Sequence, residues 1–279
     1  MNIPIINYRY DDAAEQFVDS IRRTGFAVLT NTTIQKHLIN DVYRDFRIFF
    51  GNKERKEAML FNPETQAGFF PMKSEKAKDS TVQDLKEFFH YFPNARPKQN
   101  HPSGFAIGDL CLRMEVLGEE ILNWLQAAYE KETGRKTPPW AEMIRTSPST
   151  LFRALHYPPL TGSEDPGAVR SAAHEDINFI TFLPAATQSG LQVKDRDGNW
   201  HAIETDANSI VVNIGDMLQL LTDGFYPSTT HRVVNPTTEN VSRYSMPLFL
   251  HPHPETQLSP NKTAKQYLME RLKELGLIK

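Results

Sequence analysis

From about Ser149 onward the chain is a succession of short segments rich in β-forming residues, each bounded by turn-forming residues. The segments are LFRALHY, INFITFL, LQVKD, WHAIE, SIVVNI, MLQLL, HRVV and YSMPLFL. Asp197-Gly198, between LQVKD and WHAIE, is a strong hairpin signal. Many short strands at regular spacing are typical of an antiparallel sandwich or barrel and not of a parallel α/β sheet.

The chain before residue 149 has mainly helical periodicity, and it contains two short predicted strands. The pattern predicts strands at 3–6 and 26–30, and helices at 11–24, 34–51 and 107–132. Residues 62–103 are predicted to be irregular, and a last amphipathic helix is predicted over 263–275. No internal repeat or low-complexity linker divides the chain, so we expect one domain with a β-sandwich core and flanking helices.

Composition excludes several classes of function. The 279 residues carry 31 Lys and Arg against 34 Asp and Glu, a formal net charge of −3, so neither nucleic acid nor an anionic membrane is an expected partner. Cys111 is the one cysteine, which excludes an internal disulfide and any zinc or iron–sulfur site built from cysteines. The start MNIPIINYRYDD lacks the features of a signal peptide, and no apolar run could span a bilayer. We therefore expect a cytoplasmic protein that acts on a small molecule.

The stretch AAHEDINFITFL, residues 172–183, places an imidazole and two carboxylates at the head of an apolar, β-forming run. Such groups are costly to bury without partners, and a metal ion would satisfy two of them at once. In a strand, residues i and i+2 point to the same face. His174 and Asp176 are therefore expected to share a face, with Glu175 pointing away.

A third ligand would strengthen this weak H-x-D signal, because most such pairs are ordinary surface residues. His231, in TTHRVV at the start of another predicted strand, is the best candidate. Two histidines and one carboxylate that leave three positions open form the triad suited to non-haem Fe(II). His174, Asp176 and His231 are thus predicted to bind Fe(II).

Arg243 and Ser245, in RYSMPLFL, share the same i, i+2 spacing at the head of another apolar strand. An arginine fork beside a hydroxyl can hold a carboxylate in two-point contact. Buried arginine is rare without an anionic partner, so the alternatives are a ligand carboxylate or an internal Asp or Glu.

Together these motifs resemble the 2-oxoglutarate/Fe(II)-dependent oxygenases of the isopenicillin N synthase-like superfamily. The resemblance is carried by AAHEDINFITFL, VVNIGDMLQLLTDGFYPSTTHRVVNP and RYSMPLF, and by IPIINY with RRTGFAVLTN near the N-terminus. It implies a mainly β fold with a double-stranded β-helix (jelly-roll) core. It also implies Fe(II) on His174, Asp176 and His231, 2-oxoglutarate held by Arg243 and Ser245, and O2 as the oxidant.

The same resemblance implies a single oxygenase domain over 1–279. Within it we expect an N-terminal family segment (1–103), a bracing helix region (104–147), a jelly-roll core with the iron site (148–255) and a C-terminal helix (256–279). The implied reaction couples oxidative decarboxylation of 2-oxoglutarate to hydroxylation, desaturation or cyclisation of a small molecule. The prime substrate and the oligomeric state stay open.

One departure from the family pattern concerns the cosubstrate. Many members have Asn-x-Tyr just before a proline pair, and the tyrosine helps to hold the cosubstrate. Matching this chain to that pattern puts Leu155 and His156 where Asn and Tyr often sit. His156 is therefore a candidate replacement for the cosubstrate contact, Arg153 is a second, and a core histidine satisfied by the backbone is the alternative for His156.

Other histidines and aromatic residues admit two interpretations. His251 and His253, in HPHP, follow the last core strand and are predicted to lie in a solvated turn. A set of phenylalanines in the N-terminal segment is interpreted either as apolar pocket wall or as aromatic core: Phe69, Phe70, Phe88, Phe89 and Phe92.

The chain lacks the sequence motifs of several other enzyme classes. A zincin would need a histidine at position 178, where the chain has Asn178, and neither a P-loop nor G-x-G-x-x-G is present. An isopenicillin N synthase-like oxidase, which uses O2 without 2-oxoglutarate, is the main alternative because that enzyme shares the HED sequence and R-x-S. A non-catalytic metal-binding jelly roll is a weaker alternative, since it leaves Arg243 and Ser245 unexplained.

Overall fold

A computed structural model describes residues 1–75 and 82–274. Its strands are β1 (Ile5–Asn7), β2 (Phe26–Thr30), β3 (Gly68–Phe70), β4 (Glu87–Tyr91), β5 (Leu151–Tyr157), β6 (Ser171–His174), β7 (Ile180–Pro184), β8 (Leu191–Lys194), β9 (Trp200–Ala202), β10 (Ile210–Ile214), β11 (His231–Val233), β12 (Arg243–Ser245), β13 (Leu248–Leu250), β14 (Gln257–Ser259) and β15 (Lys262–Thr263). Its helices are α1 (Ala13–Thr24), α2 (Lys36–Phe50), α3 (Lys53–Ala58), α4 (Ala106–Thr133), α5 (Trp140–Ile144), α6 (Asp216–Leu221) and α7 (Ala264–Glu274).

Two sheets face each other in the core. The larger sheet has the order β1-β2-β10-β7-β13-β5-β4-β3, with β12 also paired to β5, and the smaller sheet has the order β6-β11-β8-β9. Strand pairs in both sheets are antiparallel, apart from β1 with β2. This arrangement confirms the antiparallel, jelly-roll core with flanking helices that the sequence predicts.

Helix α4 braces the outer face of the larger sheet, where it packs against α1, α2, β7 and β13. Its buried face is the stripe that the helical spacing predicts, and it includes Leu110, Met114, Leu117, Ile121 and Leu125. Among the described residues, no helix combines the length and apolar character needed to cross a bilayer.

Two stretches fold differently from the sequence-based prediction. MLQLL, predicted as a strand, forms most of helix α6, because its Met, Leu and Gln are good helix formers and none is β-branched. Residues 62–103, predicted to be irregular, contain β3 and β4, which extend the edge of the larger sheet beside β5. The short helices α3 and α5 are also absent from the prediction.

Successive residues of a strand point to opposite faces, so some of the N-terminal phenylalanines lie in the aromatic core and others toward the cavity. Phe69 and Phe89 pack against Phe49 on the helix-covered face, with ring centroids 5.9 and 5.3 Å away. Phe70 and Phe88 lie on the inner face, toward the site, and stack with centroids 4.6 Å apart. The larger sheet thus presents one aromatic layer to the core and another to the interior of the jelly roll.

Gly25 and Gly134 offer a matched test of crowding at helix ends. Both cap a helix in the left-handed region at φ 71°, but a Cβ at Gly25 would lie 2.5 Å from the carbonyl oxygen of Pro227, whereas one at Gly134 meets nothing within 4 Å. Gly134→Ala should lower the free energy of unfolding by about 1–2 kcal/mol, the cost of the left-handed conformation. Gly25→Ala should lower it further, as urea denaturation would show. Equal losses would contradict the close approach.

Candidate active site

Three side chains converge where the smaller sheet meets the larger one. His174 ends β6, His231 begins β11, and the two are direct cross-strand partners. Asp176 Oδ1 lies 4.0 Å from His174 Nε2 and 3.7 Å from His231 Nε2. One ligand atom from each of the three residues lies within 4.8 Å of the others, a spacing that can hold one metal ion. The structure therefore brings together the three predicted metal ligands.

Asp176 reaches this position by a different route from the one expected. Strand β6 stops at His174, so the two residues do not share a strand. Instead, Asp176 Oδ2 accepts hydrogen bonds from Thr181 Oγ1 at 2.6 Å and Asn213 Nδ2 at 2.8 Å, both on the inner face of the larger sheet. These bonds fix the carboxylate and leave Oδ1 beside the histidines.

Thr181 and Asn213, which hydrogen-bond to a predicted metal ligand, are not among the site residues that the sequence analysis predicts. The signal for Asn213 is its place in IVVNI, a strand in which every residue is buried. A buried amide needs a hydrogen-bond partner, and an asparagine in the centre of such a strand indicates one. Both residues act on the metal site through Asp176.

The two histidines are oriented by backbone carbonyls. His174 Nδ1 lies 2.7 Å from Ala172 O, and His231 Nδ1 lies 3.1 Å from Thr229 O. A carbonyl accepts the Nδ1 proton, which leaves each Nε2 lone pair for a metal. Burial, together with the nearby His231, lowers the pKa of His174 to about 4, so its ring is neutral at pH 7.

Asp176 stays ionised despite its position in the core. Burial acts to raise its pKa, but His231 and His174 and the two hydrogen bonds outweigh burial and lower the pKa below its usual value. Two imidazoles and one carboxylate are the donor set that suits Fe(II). The residues present therefore fit the ion that the sequence predicts.

Arg243 lies inside the jelly roll without an acidic partner. It is 1% exposed, and its Nε donates to the carbonyl oxygens of Gln188 at 3.0 Å and Ser189 at 3.2 Å. Its Nη1 is buried and has no hydrogen-bond partner. No described Asp or Glu pairs with it, which argues against the internal ion pair. An unpartnered, buried guanidinium N–H fits the binding of a ligand carboxylate.

The register of β12 on β5 decides which neighbours Arg243 has. Arg243 lies opposite Tyr157, and Ser245 lies opposite Leu155, all on the inner face. The Arg243 guanidinium carbon lies 5.1 Å from the centre of the Tyr157 ring. A tyrosine thus stands beside the arginine, directly before the proline pair. In the sequence, Tyr157 can be identified by its position directly before Pro158 in LHYPP, which is where the family pattern has its tyrosine.

His156 points to the opposite face of β5, away from Arg243. Its Nδ1 lies 2.8 Å from Glu87 Oε1 and its Nε2 lies 3.0 Å from Ser242 Oγ. The ring stacks on Tyr244 at 4.6 Å. Since both ring nitrogens are engaged on the helix-covered side, this geometry argues against a cosubstrate contact for His156. It corresponds to the alternative of a satisfied core histidine, although its partners are side chains and not backbone.

Two cavities that share part of their walls lie on this side of the triad, and the smaller one is lined by two of its residues. A cavity of about 230 Å³ is lined by His174 and Asp176, among others, and a second of about 460 Å³ is lined by Phe70, Phe88 and Phe92. The residues that line both cavities are Glu75, Leu151, Arg153, His251, Leu268 and Leu272. The predicted iron site therefore adjoins a space with a mainly apolar surface, three phenylalanines among its lining residues, and a size that fits a small organic molecule.

His251 belongs to this shared wall and is not in a solvated turn. It is 7% exposed and follows β13 directly. His253, two residues on, lines neither cavity, and its Nε2 lies 2.9 Å from Arg145 O. Leu268 and Leu272 of helix α7 line the same two cavities as His251.

A network of paired charges crosses the shared wall. Glu75 accepts hydrogen bonds from Arg153 Nη1 at 3.0 Å and Nη2 at 3.2 Å, and lies 2.8 Å from Lys86 Nζ. Lys86 Nζ also lies 2.8 Å from Asp84 Oδ2. Although burial opposes ionisation of Glu75, Arg153 and Lys86 outweigh it and hold its pKa well below the usual value. Arg153 is thus engaged within the protein and is not free to replace Tyr157 beside Arg243.

Known proteins resemble this chain over nearly its full length. A family model of the 2OG-Fe(II) oxygenase superfamily matches residues 148–252, and one of the N-terminal region of a non-haem dioxygenase in morphine synthesis matches residues 3–106. A Shewanella oneidensis crystal structure assigned as an oxygenase is 44% identical, with a TM-score of 0.87 and 100% of both chains covered.

Two further comparisons extend the likeness. The 2-oxoglutarate-dependent dioxygenase citB of Monascus ruber is 28% identical over 282 residues, which cover 92% of this chain and 85% of citB. A full-length Neurospora crassa protein crystallised in complex with alpha-KG is 24% identical, with a TM-score of 0.82 over 97% of this chain and 95% of its own, and shares the fold.

Proposed function

Since the chain belongs to the 2-oxoglutarate/Fe(II)-dependent oxygenases of the isopenicillin N synthase-like superfamily, we propose that it oxidises a small molecule bound in the aromatic-lined cavity beside the triad. The enzyme is a dioxygenase that uses Fe(II), 2-oxoglutarate and O2. The proposal assigns iron to His174, Asp176 and His231, and the distal carboxylate of 2-oxoglutarate to Arg243 and Ser245.

The buried, unpartnered Nη1 of Arg243 is the observation that carries this assignment. A guanidinium at 1% exposure without an acidic neighbour is unfavourable unless an anion binds. Tyr157, on the same face, supplies a phenol beside the guanidinium. An oxidase that does not use 2-oxoglutarate would need a carboxylate of the prime substrate at this position instead.

Each part of the site has a separable task. Fe(II) with 2-oxoglutarate supplies the activation of O2 needed to oxidise a C–H bond. The backbone carbonyls of Ala172 and Thr229 hold the histidine rings in the metal-binding tautomer. Thr181 and Asn213 hold Asp176, and the aromatic walls keep water from the reacting carbon.

Tyr157→Phe tests the cosubstrate contact. Loss of one hydrogen bond to a charged group is worth roughly 1.5–3 kcal/mol, so the KM for 2-oxoglutarate should rise about ten- to a hundredfold without loss of iron. His156→Phe is the matched control, because it should leave that KM unchanged while it lowers thermal stability by removing the partner of Glu87 and Ser242. The reverse pattern would return the contact to His156.

Turnover itself is testable without knowledge of the prime substrate. The purified protein, supplied with Fe(II), ascorbate and 2-oxoglutarate, should form succinate. In a library of small molecules, some compounds should accelerate succinate formation and be converted to products of different mass. Succinate formation independent of iron, or substrate oxidation independent of 2-oxoglutarate, would contradict the proposed function.

A further inference from the structure

His251 is a buried imidazole that neither the metal site nor the proposed cosubstrate site uses. It lines the cavity that contains His174 and Asp176, and it also lines the larger aromatic cavity. It is one of the residues shared by the walls of both cavities, so a molecule that occupies both can contact this ring. Its hydrogen-bonding state therefore bears on what the two cavities accept.

The hydrogen bonds of His251 define one free acceptor. Nδ1 lies 3.1 Å from the carbonyl oxygen of Phe249, so Nδ1 carries the proton and donates it there. Burial lowers the pKa of His251 to about 4, and the ring is neutral at pH 7. No described residue hydrogen-bonds to Nε2. The ring thus offers an unused lone pair at the boundary of the two cavities.

The described cations that line the inner cavity already have carboxylate partners, whereas Glu175, which also lines it, has no described cationic partner. Lys86 and Arg153 pair with Glu75, and Lys86 also pairs with Asp84, so two cations face two carboxylates. Arg271, the other cation beside the triad, lies 3.5 Å from Asp216 Oδ2. Among the described residues, Lys86, Arg153 and Arg271 are thus each already paired with a carboxylate. A second anion buried here would have none of these cations to itself, and burial of an unpaired charge is strongly unfavourable.

The outer part of the larger cavity differs from this inner part. Arg96 and Lys98 line it and are exposed to solvent, where no described carboxylate pairs with them. The inner walls are formed by Phe70, Phe88 and Phe92, which favour flat, apolar rings. A substrate that enters through the larger cavity first passes the exposed cations and then the phenylalanines. The end that reaches the iron therefore lies on the far side of the aromatic walls, away from those cations.

We propose that the prime substrate enters with an uncharged, ring-containing end that donates a hydrogen bond, from a hydroxyl or N–H group, to His251 Nε2. This inference rests on the proposed function and names the class of substrate for the same site. His251 is then a substrate-binding residue that selects for a donor and positions the neighbouring carbon.

Binding of three matched probes tests the proposal directly. β-Naphthol carries a donor, its methyl ether lacks the donor, and β-naphthoate replaces it with a charge. Calorimetry on the anaerobic enzyme with Fe(II) and 2-oxoglutarate should show about tenfold weaker binding of the ether and at least about hundredfold weaker binding of the naphthoate. Equal binding of the three, tightest binding of naphthoate, or no binding of naphthol would overturn the proposal.

Variants assign the preference to one atom. His251→Phe keeps a ring but removes the acceptor, and it should abolish the difference between naphthol and its ether, whereas His251→Gln, which retains an acceptor, should restore part of it. His253→Phe is the matched control and should keep the full difference, since His253 lines neither cavity. An unchanged preference in His251→Phe would overturn the assignment.

Different results would refute the proposed function and the proposed substrate class. Binding of 2-oxoglutarate to the Fe(II) enzyme is measured first, and its absence would refute the proposed function. If 2-oxoglutarate binds and the three probes show no order, only the substrate class is refuted. The wild-type comparison requires no substitution, so a His251 variant that does not fold leaves the test intact.

Discussion

Asp176→Ala is expected to abolish iron-dependent turnover, because it removes the only carboxylate among the three converging ligands. The same change leaves the Thr181 hydroxyl and the Asn213 amide without their acceptor. Each buried group left unsatisfied costs about 1–3 kcal/mol, so the metal-free variant should also unfold at a lower temperature. Metal content by mass spectrometry and thermal unfolding of the metal-free proteins measure the two effects separately.

Asp176→Asn is the control that separates charge from structure. The amide keeps an acceptor oxygen for Thr181 or Asn213 while it removes the negative charge that favours the ion. It should lose iron and activity as Asp176→Ala does, but retain more of the stability. Stoichiometric iron with full turnover in either variant would show that Asp176 is not a ligand.

Arg243→Met should weaken the binding of 2-oxoglutarate to the anaerobic Fe(II) protein at least about a hundredfold. The cosubstrate carboxylate would remain buried without its cation, and breaking a buried pair costs about 3–5 kcal/mol. Arg243→Lys should recover part of the affinity, because an ammonium cannot reproduce the planar fork. Ser245→Ala should have a smaller effect, since it removes one neutral donor. Isothermal titration with 2-oxoglutarate gives the affinities.

Arg153→Met is the matched control for this series. Arg153 is also an arginine on the inner face of the larger sheet, but its guanidinium is engaged by Glu75 and His90. Its loss should leave the affinity for 2-oxoglutarate unchanged. If instead Arg153→Met weakens cosubstrate binding and Arg243→Met does not, the carboxylate is held in the cavity beside the triad.

The sequence could predict what local periodicity and motif chemistry determine. The strand FAVLT and the helix of residues 107–132 have one dominant period, and both form nearly as predicted. The triad could be predicted because two histidines and one carboxylate that leave positions open are the donor set typical of non-haem Fe(II) oxygenases. The apolar run MLQLL was ambiguous by pattern, and it forms a helix that begins at Asp216, directly after Gly215.

What the sequence could not predict depends on register and tertiary contact. A shift of one residue moves a side chain to the other face of a strand, and that shift separates Tyr157, beside Arg243, from His156, beside Glu87. Asp176 lies beyond strand β6, where it is held by Thr181 on the next strand of the larger sheet to follow it and by Asn213, 37 residues further along the chain than Asp176. His251 is buried in the wall of two cavities that residues of helix α7 also line, and the motif HPHP carries no sign of that neighbourhood.

Binding of 2-oxoglutarate to the anaerobic Fe(II) protein tests the central claim most directly. Chelation of iron through the keto group and one carboxylate of the cosubstrate should produce a weak visible charge-transfer band that saturates with 2-oxoglutarate. The account predicts this band in the wild-type protein and its loss in Asp176→Ala. Absence of the band at saturating 2-oxoglutarate, with iron verified in the site, would contradict the account and favour an oxidase that uses O2 alone.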